Sequence, residues 1–217
     1  MQQRVLVINP NSSSAVTQAI DQAMTPLRKG SAVAIDVVSL PEGPAGIESQ
    51  AHVDGVVQPL LDRIRAEPAA AYVIACYSDP GLYAAREAVS VPVLGIAESG
   101  ILTALTLGAR FGVISILRKA IPRHIRYVGA MGLMARMAGD RAIEIGVAGL
   151  ADEARTFERM REIGATLRDE DGADVLVMGC AGMARYRDRL ADTLGIPIVE
   201  PTQAAVAMAI GRIGLGW

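Results

Sequence analysis

Four short runs of β-branched and apolar residues, each followed by a longer amphipathic stretch, fill the first hundred positions of this chain, and the pattern then begins again. Val5-Leu6-Val7-Ile8 precedes residues 14–27, the run 33–38 precedes 52–65, and 72–75 precedes 81–89. Val91-Pro92-Val93-Leu94, with its proline near the start where a missing N–H is tolerated, precedes a helix expected over about 99–109. Such alternation belongs to βαβ units on a parallel sheet.

The second half reads as a copy of the first. Phe111-Gly112-Val113-Ile114-Ser115 stands where Val5 to Asn9 stand. Val73-Ile74-Ala75-Cys76 is matched by Val177-Met178-Gly179-Cys180, which places the cysteines at 76 and 180, an offset of 104. Val91-Pro92-Val93 is matched by Ile196-Pro197-Ile198, with the prolines at 92 and 197. One match between apolar runs means little, but three in order mark an internal repeat. The expectation is an α/β chain of two similar lobes, 1–100 and 101–201, each with a four-stranded parallel sheet. A helix near Ile101 crosses between them, and residues 202–217 form a buried C-terminal helix that packs back on the first lobe.

Composition narrows the function. A formal net charge of −2, with Lys and Arg spread along the chain, offers no basic stripe for a phosphate backbone. The stretch 204–217 is interrupted by Arg212 and is too short to span a membrane. Met1-Gln2-Gln3-Arg4 leads straight into a strand without a secretory pattern, so a cytoplasmic protein with free thiols is expected. Two histidines, His52 and His124, and no C-x-x-C pair give no metal-ligand spacing.

In open parallel sheets ligands collect beyond the carboxyl ends of strands, and both cysteines sit at such ends. If a pseudo-twofold axis relates the lobes, the two ends meet across one cleft, and a small molecule between them is flanked by sulfur on both faces. Asp79 and Pro80 are a good N-cap and first helical residue, and Ala181-Gly182-Met183 leads into a helical run over 184–194. Both sulfurs are therefore expected beside helix starts that favour thiolate.

The remaining candidates are substrate-binding. Asn9 opens the loop Asn9-Pro10-Asn11-Ser12-Ser13, whose amides and side chains suit an anionic or carbonyl group. Ser115 and Ile116 hold the matching place in the second lobe. Ile47, Ser78, Asp79 and Gly182 flank the same cleft, with Asp79 weighed chiefly as a helix cap. Glu48 and His52 read either as acid–base helpers or as ordinary loop and helix-start residues. Glu200 reads as a cap or an active-site carboxylate. His124, among Lys119, Arg123 and Arg126, reads as part of a solvated, inert helix face.

The segments "INPNSSSAVT", "ACYSDPGLYAAREAVSVPVLGIAES" and "VMGCAGM" resemble hydantoin racemases of the aspartate/glutamate racemase superfamily, over nearly the whole chain. The resemblance implies two Rossmann-like lobes, no cofactor and no metal, and a homo-oligomer acting on a small molecule. It implies a 5-monosubstituted hydantoin, or allantoin, as substrate, and a two-base mechanism in which Cys76 and Cys180 exchange the proton on the ring carbon. Ser78 departs from the glycine or acidic residue common there, a difference that bears on the ring substituent. Arylmalonate-decarboxylase-like enzymes keep only the second cysteine. An amino-acid or small-carboxylate racemase, a non-catalytic two-lobed binding protein and a redox dithiol are the alternatives; the last is disfavoured by cysteines on separate lobes.

Overall fold

The computed structural model describes residues 3–217; Met1 and Gln2, where the N-terminal reading begins, lie outside them. The first half runs β1 (Arg4–Asn9), α1 (Ser14–Ala23), α2 (Thr25–Arg28), β2 (Ala34–Ser39), α3 (Gln50–Gly55), α4 (Val57–Ala66), β3 (Ala71–Ile74), α5 (Leu82–Ala88), β4 (Val93–Gly95) and α6 (Ile96–Ala104). The second runs β5 (Phe111–Ser115), α7 (Ile121–Ala130), β6 (Met137–Ala142), α8 (Glu153–Asp169), β7 (Val175–Met178), α9 (Arg187–Leu194), β8 (Ile198–Val199) and α10 (Pro201–Leu215). Short 3-10 turns lie at Arg118–Ala120, Met134–Arg136, Val147–Ala151 and Ala181–Tyr186.

The strands form two four-stranded sheets, β2-β1-β3-β4 and β6-β5-β7-β8, and every pairing is parallel. The same strand order in both halves is the structural form of the sequence repeat. In each sheet the two central strands pair so that their ends align: Ile8 lies opposite Ile74, and Ile114 opposite Met178. Every residue of β3, β5 and β7 is buried, as continuous apolar runs in a parallel sheet covered on both faces must be.

Several element bounds differ from the sequence reading for local reasons. The stretch 14–27 breaks at Met24, because Pro26 falls in the first turn of α2 and cannot extend the α1 ladder. The stretch 52–65 begins earlier, at Gln50, where the Ser49 hydroxyl accepts from the His52 amide, and is interrupted at Val56. The helix expected over 99–109 runs from Ile96 to Ala104, because its first amides are capped by Asp79. Beyond Cys180 a 3-10 turn occupies Ala181–Tyr186 before α9 begins.

The carboxylate of Glu200 caps α10, accepting from the Thr202 and Gln203 amides. Of the two roles weighed for it, the cap is the one it fills. One face of α10 is buried through Pro201, Ala205, Val206 and Ala209, against α6, β1, β3 and β4. At Gly100 of α6 a side chain would come within 2.9 Å of the Pro201 Cβ, so this approach of α6 to α10 needs glycine. The last turn is not buried: Leu215 and Trp217 are exposed. No helix among the described residues is long and apolar enough to cross a membrane.

Candidate active site

The two cysteines leave their sheets by the same backbone path. The Ala75 amide donates to the Ile8 carbonyl at 2.8 Å and the Gly179 amide to the Ile114 carbonyl at 2.8 Å, so each chain continues one residue past the ladder. The next residue is the cysteine, whose carbonyl then accepts from the amide three residues on, Asp79 at 2.9 Å and Met183 at 3.1 Å. Equivalent strand ends and turns thus present Cys76 and Cys180 to one cavity, a cleft of about 530 Å³ that is partly open to solvent.

Of the substrate-binding candidates, Ile47, Ser78, Ile116 and Gly182 line this cavity with the two cysteines. Asn9, Asp79 and Ser115 do not. Asn9 lies beneath the wall, its amide donating to Asn11 Oδ1 at 2.9 Å and to Thr17 Oγ1 at 3.0 Å. Asn11 Oδ1 also accepts from the Ser13 amide at 2.9 Å. Both acceptor bonds fix how the Asn11 amide points, and its NH₂ is left for the cavity that Asn11 lines. In this loop it is therefore Asn11 whose side chain faces the cavity, with Asn9 holding it.

Asp79 does not cap the helix after Cys76, as its position in the sequence suggested. α5 starts at Leu82 behind Gly81, whose left-handed φ of 67° suits glycine. The Asp79 carboxylate crosses instead to α6 and accepts from the Ala97 and Glu98 amides, each at 2.9 Å, and from the Tyr127 hydroxyl at 2.7 Å. It ties the Cys76 loop to α6 and α7.

Ser115 and His124 depart furthest from expectation. His124 is 5% exposed and lines the cavity. Its Nδ1 donates to Asp140 Oδ2 at 2.7 Å and lies 3.1 Å from Ser115 Oγ, while Ser115 donates to the other carboxylate oxygen. The ring stands edge-on to Tyr77, with centroids 5.1 Å apart. Ser115 is thus a brace for the imidazole rather than a hydroxyl facing the ligand. With Nδ1 bound to Asp140, Nε2 makes no hydrogen bond to any described residue.

Glu48 also lines the cavity, and its Oε1 accepts from the Val147 amide at 2.9 Å, with Lys119 Nζ 3.5 Å from Oε2. The loop after β2 is held in this way to the loop after β6. His52 stays behind it, Nδ1 accepting from the Glu48 amide at 3.2 Å.

The thiols are not activated in the way the helix starts suggested. Although both cysteines are only partly buried by surface exposure, desolvation by the surrounding protein pushes Cys76 from 9.0 up to about 12, against a smaller downward pull from the Ser78 amide. Burial likewise pushes Cys180 up to about 11, with the Gly182 amide pulling down. Desolvation of the anion outweighs the local N–H donors. Both cysteines of the ligand-free protein are expected to react with iodoacetamide more slowly than free cysteine at pH 7.5. The rates should still climb about tenfold per pH unit beyond pH 9, where a free thiol has levelled off. A rate that levels off near pH 7 would mean thiolates are already present. No cluster of three or more His, Cys, Asp or Glu able to hold a metal ion occurs among the described residues.

Comparison with known proteins gives this cavity its context. Hydantoin racemase from Paenarthrobacter aurescens is 36% identical over 223 residues, spanning 99% of this chain and 92% of that protein. Hydantoin racemase from Rhizobium meliloti is 37% identical, spanning 97% and 89%. The structure of allantoin racemase from Klebsiella pneumoniae superposes with a TM-score of 0.93 at 32% identity, over 99% of this chain and 89% of that one. The sequence model of the Asp/Glu/Hydantoin racemases matches residues 5–209, a span that holds both cysteines and, but for Arg4, both sheets. The chain belongs to the Asp/Glu/Hydantoin racemase family.

Proposed function

We propose that this chain is an isomerase that inverts C5 of 5-monosubstituted hydantoins, allantoin among them, by passing a proton between Cys76 and Cys180. One observation carries the reading: two sulfurs at equivalent strand ends line the same small cavity. The hydantoin and allantoin racemases to which the chain is similar supply the substrate class.

The chemistry follows from this arrangement. A thiolate on one face removes the C5 proton, and the C–H electron pair moves into the adjacent ring carbonyl to give an enolate. The Asn11 NH₂ is one side-chain donor available to that oxygen. The opposite thiol then protonates C5 from the other face and becomes the thiolate, so each turnover inverts the centre and exchanges the roles of the cysteines. Raised thiol pKa values suit the task once one proton has left, because a more basic thiolate lies closer to a carbon acid in proton affinity. Charge on Cys180 raises Cys76 further.

The purified protein in deuterated water is expected to take the optical rotation of one enantiomer of 5-isobutylhydantoin to zero, with one deuterium entering C5 for each inversion. Decay of rotation without deuterium uptake would contradict proton delivery by a second, solvent-exchanged thiol. Saturable binding with no exchange beyond the protein-free control would identify a binding protein instead.

A further inference from the structure

The two halves match at their sulfurs but not at their walls. From α1 the cavity receives Val16 alone; from α7 it receives Arg123 and His124. Arg123 makes no hydrogen bond or ion pair with any described residue, and its Nε is sealed from solvent without a partner. The one carboxylate lining the cavity, Glu48, is already engaged by the Val147 amide and lies near Lys119. A half-buried guanidinium with no hydrogen bond or ion pair is costly, the anionic groups acting on it being only the more distant Asp54 and the Cys76 thiolate, and a ligand is a partner the cavity leaves open to it.

Resting on the racemase reading, we propose that Arg123 selects the substrate by binding an oxygen acceptor carried on the substituent at the reacting carbon. Two other uses of the charge fit less well. A cation serving the thiolates should act on both, since their roles exchange at each turnover. Arg123 acts on Cys76, whereas the charged groups acting on Cys180 are Glu48 and Glu200. A cation serving the ring oxygen would duplicate the donor already offered by Asn11. A substituent oxygen, as a ureido carbonyl or a carboxylate, takes up the charge of Arg123 without touching the proton relay. His124, clamped through Nδ1 by Asp140, is neighbour to Arg123 in the first turn of α7 and fixes that turn against β6.

The test is a ratio. For the wild-type protein and Arg123→Met, kcat/KM is measured on allantoin, 5-carboxymethylhydantoin and 5-isobutylhydantoin. Each oxygen-bearing substrate is referred to the isobutyl compound. Loss of a charged hydrogen bond should lower these ratios by about tenfold or more. Arg123→Lys, which keeps the charge but not the fork, should fall between. A drop for allantoin alone assigns the ureido carbonyl, and a drop for the acid alone assigns a carboxylate; either supports the proposal. Unchanged ratios overturn it, whether all three substrates slow together, as for a ring or thiolate contact, or none does. If the wild-type protein exchanges C5 of none of the three, the racemase reading has failed first, and this proposal falls with it.

Discussion

Cys76→Ser and Cys180→Ser are each expected to lower kcat/KM for racemisation by about 10³-fold or more, with the fold intact. A positioned base contributes on that order, and a serine hydroxyl is far too weak an acid to supply an oxyanion near neutral pH. The change is close to isosteric, and Cys76 packs at the margin of a small cluster of Ile47, Val53 and Val56, so stability should move little. The surviving thiol can still remove the proton from the enantiomer it faces. In deuterated water each variant should therefore wash deuterium into one enantiomer while its rotation holds. The double variant should lose this exchange as well. Racemisation at more than a tenth of the wild-type rate in either single variant would detach that sulfur from the reaction.

Gly179→Ala is expected to damage stability and turnover together. A Cβ at Gly179 would lie 2.7 Å from the Ile114 carbonyl oxygen and 3.1 Å from the Ser115 Cα. Both are backbone atoms of the neighbouring strand, which cannot swing aside as a flexible side chain could. The Gly179 amide donates to that same carbonyl, so β5 and β7 must part at the point where Cys180 is delivered. Forced overpacking of this kind costs about 1–3 kcal/mol, and displacing a reacting group by about 1 Å costs on the order of 10² in rate. The expected result is a lowered midpoint of urea unfolding with turnover down about 10²-fold in the fraction still folded. A variant with wild-type stability and rate would show that the strand ends yield more than close packing permits.

The thiols were legible because a parallel strand, its direction and its C-terminal end are all written in a few consecutive residues, and the repeat wrote them twice. β6 was not, because Met137–Ala142 is half-buried throughout and carries no apolar alternation. The repeat held the missing signal: the offset of 104 that links the cysteines also carries Asp36 of β2 onto Asp140 of β6. Without Asp140, His124 had no partner in view, and its basic neighbours on α7 read as a solvated face. Asp79 misled for a related reason. A capping residue is chosen by the nearest open helix end in space, and for Asp79 that end is the start of α6.

The sequence by itself determined the two repeated parallel α/β halves and the strand ends that carry sulfur, since each depends on local periodicity and on the repeat. Tertiary structure alone decided the raised thiol pKa values, the burial of His124 and the unanswered charge of Arg123. These depend on how far water is excluded and on which groups from distant segments come within a few ångströms, neither of which is encoded in any one stretch of chain.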